Sequence, residues 1–237
     1  LKAVLLNAAP EARLVDVSHD VPAQSVLHGE LLLRSISFIY GPGSVHLMVI
    51  DPGVGTQRLP IAVEARGTFF VGPDNGLFGQ LQTVPGARAV VLNKSEIFRE
   101  PVSNTFHGRD IFAPVAAELA SGLVLEDVGT PIEHWLSGQL VSPVPSNGSF
   151  EVPLLAFDHF GNILTHLHTR QVLENPCILL DNREIPLVET YGEAGEGSLV
   201  ALIGSDGYLE LAVKNGSAVE ALGANWQTCR LSVSSKR

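Results

Sequence analysis

The sequence predicts an α/β N-terminal domain with a mostly parallel central sheet, followed by a smaller all-β, barrel-like C-terminal domain. Three observations carry that expectation. Up to about residue 141, short β-rich runs alternate with helix-period segments, the pattern of helices laid on a sheet. At 142–149 the run Ser-Pro-Val-Pro-Ser-Asn-Gly-Ser has turn composition and no apolar period. Beyond it only short strand-like runs remain.

Within the first domain, residues 13–17 and 44–50 are β-rich. The segment 25–40 between them sets Val26, Leu27, Leu31, Leu32, Ile36 and Ile39 at helical intervals. Residues 59–63, 68–71 and 89–92 read as further strands, and 111–121 as an amphipathic helix closed by Gly122. The boundaries drawn are 1–141 for the α/β domain, 142–150 for a linker and 151–237 for the second domain. There, 152–157, 163–168, 178–180, 199–203, 208–213 and 229–233 read as strands separated by Gly, Asn and Asp turns.

Composition narrows the partners. The 237 residues carry 15 Lys and Arg against 25 Asp and Glu, a net charge of −10, with no basic run to hold a nucleic-acid backbone or an anionic membrane. Apolar stretches fall well short of the roughly 20 residues that span a bilayer. Cys177 and Cys229 are too few for a disulfide framework, and no Cys/His ladder suggests structural zinc, so a cytoplasmic protein without a metal is expected. The sequence starts at Leu1 and its only methionine is Met48, so a preceding segment is expected.

Five segments carry candidate chemistry. The first is Asp51-Pro-Gly-Val-Gly-Thr-Gln-Arg58, an Asp at the end of an apolar strand followed by a Gly-rich turn that brings Arg58 back towards it. The same residues equally describe a capped turn with a surface ion pair. The second, Gly72-Pro-Asp-Asn-Gly76, reads as a tight turn. The third, Thr105-Phe-His-Gly-Arg-Asp110, puts His107 before a helix start and Asp110 where it would cap that helix. A lone loop His is usually structural, but an Asp, an Arg and a His together are the parts of a site that orients and deprotonates water. The fourth, Phe157-Asp-His-Phe-Gly-Asn162, is a turn between strands, followed by His166 and His168 on one strand face with no third metal ligand at a plausible spacing. The fifth, Gly204-Ser-Asp-Gly-Tyr-Leu-Glu-Leu-Ala-Val213, is a turn and an alternating strand.

In this order and at these separations the segments closely resemble the S-adenosylmethionine hydroxide adenosyltransferase family, relatives of the fluorinases and chlorinases. The match runs from Leu1-Lys-Ala-Val4 and Ala12-Arg-Leu-Val-Asp-Val-Ser-His19 through the five motifs. The resemblance implies an α/β domain, a β-barrel domain and a homotrimer with active sites between neighbouring subunits. It also implies hydrolysis of S-adenosylmethionine to adenosine and L-methionine, with the sulfonium as substrate and no cofactor.

Carried over by motif, the water-activating trio falls on Asp51, Arg58 and His107. Substrate contacts fall on Phe106 near the ribose or the reacting carbon, Asp158 on the methionine ammonium and Asn162 on the adenine. Ser205 and Asp206 would hold the methionine carboxylate through backbone N–H groups, while Tyr208, Glu210 and the backbone of Val213 lie on the strand beside the purine. In halogenating relatives the position of Asp51 is typically Tyr and that of His107 is not His, so the resemblance implies the hydrolase branch. The family's Thr-Asp-Phe-Gly-like motif, whose Asp holds the ribose hydroxyls, has no counterpart in the sequence, and His166 stands where Asn is frequent. The readings carried forward are a hydrolase, a catalytically silent S-adenosylmethionine or adenosine binder, and a halide-dependent adenosyltransferase.

Overall fold

Chain order in the first unit, Leu1–Leu140, runs α1 (Lys2–Ala8), α2 (Val26–Ile36), β1 (Val45–Leu47), β2 (Pro60–Ala65), β3 (Thr68–Pro73), β4 (Arg88–Leu92), α3 (Ala113–Ala120) and β5 (Gly129–Ile132). The computed structural model describes residues 1–172 and 174–235; residues 173, 236 and 237, within the span expected as the second domain, lie outside that set. Strand order is β1-β3-β2-β4-β5.

Alternation along β2 explains the layering. Ile61, Val63 and Ala65 face one way and pack with Val26 and Leu33 of α2, while Ala62 faces the other way and packs with Val115 and Leu119 of α3. A helix on each face of a sheet is the expected α/β arrangement. The sheet direction is not the expected one. Only β1 and β3 run parallel among the described strands; β3–β2, β2–β4 and β4–β5 are antiparallel. The reason lies in the connections. Arg66 and Gly67, both left-handed (φ 52° and 74°), form a two-residue turn, which joins antiparallel neighbours and leaves no room for a crossover helix.

Other elements shift in smaller ways. Residues 13–17 form no strand, although β1, paired only with β3, leaves an open edge in this sheet. Their Asp16 instead pairs with Lys2 of α1, a seven-residue helix that the apolar period did not announce. Ser25 caps α2, its hydroxyl accepting from the His28 N–H, and the helix ends at Ile36, short of the 40 expected. A cavity of about 560 Å³ opens beside β1, lined by parts of residues 1–21, by the face of 43–50 and by α3. Its lining stops at Ile50, one residue before Asp51, and includes none of the trio.

Among the described residues the second unit, Val141–Arg237, is built of strands with one short α-helix and three single 3-10 turns. Its strands are β6 (Pro145–Ser146), β7 (Ser149–Val152), β8 (Ala156–Phe157), β9 (Ile163–His168), β10 (Pro176–Leu180), β11 (Arg183–Glu184), β12 (Leu199–Ile203), β13 (Tyr208–Val213) and β14 (Leu231–Ser235), with α4 (Ala218–Leu222) before the last. They form two antiparallel sheets, β11-β10-β14-β7-β6 and β12-β13-β9-β8, around a shared core that includes Phe150, Ile163, Leu167, Leu209, Leu211 and Val233. Two sheets with separate edges describe this unit better than one closed ring. The stretch read as a linker holds a hairpin: Asn147 and Gly148, at φ 53° and 77°, turn β6 into β7. No helix among the described residues is long and apolar enough to cross a membrane.

Candidate active site

The site in the first unit grows from the end of β1. Its extended backbone continues one step, with the Met48 N–H donating to Val71 at 3.0 Å, and then leaves the sheet at Asp51. The following loop folds tightly on itself: the Thr56 hydroxyl donates to the Gly53 carbonyl at 2.7 Å, which turns the chain and aims Arg58 back. Gly55 must be glycine. It is left-handed at φ 77°, and a Cβ there would stand 2.6 Å from the Asn104 carbonyl. That close approach brings the loop 51–58 against the segment that carries His107.

Arg58 joins the trio. Its Nε donates to both Asp51 oxygens, at 3.0 and 3.1 Å, and its Nη2 donates to Asp51 Oδ2 and, at 2.8 Å, contacts His107 Nδ1. The Arg58 and Asp51 side chains are only 8% and 5% exposed, so the pair works in a medium where its attraction is strong. The Phe112 ring lies 5.2 Å from the guanidinium carbon and backs it with a cation–π contact.

One consequence is a tautomer. A guanidinium has no acceptor, so the Arg58–His107 contact requires a lone pair on Nδ1 and, in the neutral ring, a proton on Nε2. Burial and then the Arg58 charge hold His107 below the ordinary imidazole value, against a smaller upward pull from Asp51 and Asp110. His107 is thus a neutral ring presenting an N–H donor at Nε2, beside a carboxylate with lone pairs to spare.

Asp110 does something other than the expected capping. Residues Gly108–Phe112 form a π-turn that runs straight into α3, and the N-cap position falls on Phe112 with no side-chain cap. Fully buried, Asp110 accepts from Arg109 Nε at 2.7 Å and Nη2 at 2.8 Å, from the Ser103 N–H at 2.9 Å and from Arg99 at 3.2 Å. These bonds, the Arg109 ones first, hold its carboxyl well below the usual carboxylate range. It fastens loop 99–105 to the turn that carries His107. Phe106 is 45% exposed next to His107, with the Arg109 guanidinium 4.9 Å from its ring.

In the second unit the structure joins Asp158, Asn162 and Glu210 through a residue that sequence reasoning missed. Asp158 Oδ1 accepts from the Phe160 and Asn162 N–H groups and Oδ2 from Asn162 Nδ2, all at 2.9 Å. Asn162 Nδ2 also reaches the Tyr191 hydroxyl at 3.4 Å, and that hydroxyl donates to Glu210 at 2.9 Å. Burial, and next the Glu210 carboxylate, push the Tyr191 phenol up to about 12, so it stays a donor. The Glu210 carboxylate packs on Gly204, where a Cβ would stand 2.7 Å from it, so the turn bearing Ser205 and Asp206 adjoins the network. Val213 is buried in the core and offers only its backbone. Tyr208 stacks on His166 at 4.9 Å and meets His168 edge-on. His168 Nδ1 accepts from the Arg170 N–H. Among the described residues no group of three or more His, Cys, Asp or Glu is placed to hold a metal ion.

Comparison with known proteins decides the family. Residues 1–129 match the family model described as the SAM hydroxide adenosyltransferase N-terminal domain, and residues 153–229 match that of the C-terminal domain. The chain belongs to the SAM hydroxide adenosyltransferase family. Two relatives, from Salinispora tropica and Thermus thermophilus, are each 39% identical to it and named (R)-S-adenosyl-L-methionine hydrolase. The alignments cover 93% and 94% of this chain and 86% and 89% of those proteins. A crystal structure of an uncharacterized conserved protein from Thermotoga maritima superposes with a TM-score of 0.87 at 30% identity, over 98% of this chain and 93% of that one.

Within the site, the residues missed were those whose role depends on contact alone. Phe112 was legible only as a core residue of a helix. Tyr191 lies in the loop Val188-Glu-Thr-Tyr-Gly-Glu193, whose composition signals a turn and nothing more. Its sole clue was an aromatic ring in a polar stretch.

Proposed function

We propose that this chain hydrolyses S-adenosyl-L-methionine to adenosine and L-methionine, with Asp51, Arg58 and His107 as its water-activating residues. The observation that carries the reading is the buried Arg58 guanidinium bonded at once to the Asp51 carboxylate and to His107 Nδ1. The substrate's sulfonium departs as a neutral thioether, so no acid is needed at the leaving group. The difficulty is the nucleophile. In this reading His107 donates Nε2–H to the water oxygen, and Asp51 takes the water proton. The new O–C5′ bond forms as the C5′–S bond breaks, with its electron pair passing to sulfur. Arg58 keeps both partners in register, which converts an encounter into an oriented attack.

Asp158, Asn162, Ser205, Asp206, Tyr208, Glu210, Phe106 and the Val213 backbone are the proposed substrate contacts. In the second unit the Tyr191-linked network supports a polar, preorganised surface of this kind. A homotrimer with shared active sites, a metal-free and cofactor-free reaction, and a cytoplasmic setting belong to the same proposal. The halide-dependent alternative is disfavoured by Asp51, because a carboxylate repels an incoming halide. A silent binder is separated by turnover alone.

The test is to incubate the purified protein with S-adenosylmethionine and follow adenosine by chromatography, with His107→Ala as control. Adenosine from the parent, reduced about a hundredfold or more in the variant, is the expected result. Bound substrate with no adenosine would leave a binding protein.

The same geometry predicts the pH profile. His107 acts neutral and its ring titrates below about 6.5, so kcat holds level at pH 7 and falls only as pH drops through that lower value. Protonation would set a second cation against Arg58 and remove the acceptor at Nδ1. A kcat profile between about pH 4 and 8 checks this. Half-maximal kcat above pH 6.5, or an acid limb unmoved in His107→Ala, would count against it.

A further inference from the structure

The turn Gly72-Pro-Asp-Asn-Gly76 is absorbed by no step of the reaction, yet it touches both ends of the reactive loop. Where the chain leaves the sheet, Asn75 Nδ2 donates to the Ile50 carbonyl at 2.8 Å, one residue before Asp51. Where the chain returns, the Asp74 N–H donates to the Leu59 carbonyl at 2.8 Å, one residue after Arg58. The turn is itself braced. Asn75 Oδ1 accepts from the Leu77 N–H at 3.3 Å, and the buried Asp74 carboxylate accepts from the Leu136 N–H at 2.8 Å.

We infer that Asn75 is a positioning residue for the hydrolysis proposed above, holding Asp51 and Arg58 at the spacing that lets one guanidinium serve both the carboxylate and His107. The inference rests on that reading of the site. The residue type is specific. Asn supplies a donor for Ile50 and an acceptor for Leu77 from one short planar group, whereas an ionised Asp lacks the donor and an Ala lacks both. A side chain two bonds from the backbone also leaves the Ile50 carbonyl little freedom to drift. Displacement of reacting groups by about 1 Å lowers rates on the order of a hundredfold, and the loop has no other side-chain bond to this turn among those seen.

Two variants separate positioning from folding. Asn75→Ala removes both bonds; Asn75→Asp keeps the acceptor for Leu77 and removes only the donor to Ile50. Each is assayed for KM and kcat with S-adenosylmethionine and for thermal unfolding. The ring-proton titration of His107, assigned by its disappearance in His107→Ala, is followed by NMR. The expected result for both is a KM within about threefold of the parent, a kcat lower by roughly ten- to a hundredfold, and a His107 midpoint shifted upward as Arg58 slackens away from it. A parental kcat per folded molecule in Asn75→Asp overturns the inference, whatever the melting temperature. So does a lowered kcat with an unmoved His107 midpoint. Should the parent itself release no adenosine, the hydrolase reading fails, and the His107 midpoint alone then decides whether Asn75 holds the trio.

Discussion

Asp51→Asn is expected to lower kcat by about a thousandfold while leaving KM for S-adenosylmethionine within about threefold. Asn matches Asp in shape, so the substitution leaves the loop its size and removes the charge and the basic lone pairs. Two losses coincide. In the proposed mechanism water no longer has a group to take its proton, and Arg58, 8% exposed, loses the anion that it grips with two nitrogens. Because Arg58 also contacts His107, the damage spreads to that ring. The three side chains should therefore behave as one unit. Asp51→Asn combined with His107→Ala is expected to lose little more than the worse single variant, whereas independent contributors would multiply. Stopped assays of adenosine, corrected for folded fraction by circular dichroism, measure all four corners of the cycle. An Asp51→Asn enzyme within tenfold of the parent would show that the carboxylate does not accept the proton.

Why the trio could be read from sequence and its supports could not is a matter of what spacing encodes. Asp51 and Arg58 are seven residues apart across a Gly-rich turn, and local chain geometry alone brings them together. His107 is 49 residues further on from Arg58, and only its residue type and the order of motifs connected it to them. Their meeting depends on Gly55 allowing the Asn104 backbone close, a contact invisible until the chain is folded. Asn75 shows the limit from the other side. Its local signal, an Asn-Gly turn, was correctly read as a turn, but the hydrogen bond to Ile50 arises from β1 and β3 lying side by side.

The sheet direction failed for a related reason. Alternating strand and helix signals favour a parallel sheet only when helices fill the connections, and between β2 and β3 the connection is Arg66-Gly67. Residues 13–17 had the composition of a strand, yet propensity alone does not pair a segment, and they stay irregular although the outer edge of β1 is open. In the second unit, the strand-like runs at 163–168, 199–203 and 208–213 appear as β9, β12 and β13, each presenting an apolar face to a shared core, with β12 apolar on its other face as well. Their division into two sheets follows from pairing, which the pattern does not carry.

Asp110→Ala is expected to destabilise the protein by about 3 kcal/mol at pH 7, the largest effect on stability anticipated for a single residue near the site. The side chain is fully buried and ties the loop 99–105, through Arg99 and the Ser103 N–H, to the turn that carries Arg109. Its removal orphans the half-buried Ser103 donor, while Arg99 and Arg109, 50% and 35% exposed, turn back to water, which keeps the cost near the lower end for a broken buried pair. The sign of the pH dependence follows from the depressed carboxyl. Folded Asp110 holds its charge to lower pH than it does in the unfolded chain, where its value is about 3.9, so its contribution is complete above about pH 5 and is lost as pH falls through the folded value. The gap between parent and variant should therefore be widest near neutrality and narrow steadily below about pH 4. Urea midpoints at pH 7, 5 and 3.5 measure it, and a gap that stays constant across them would mean that packing, and not the ionised carboxylate, holds loop 99–105 to the turn bearing His107.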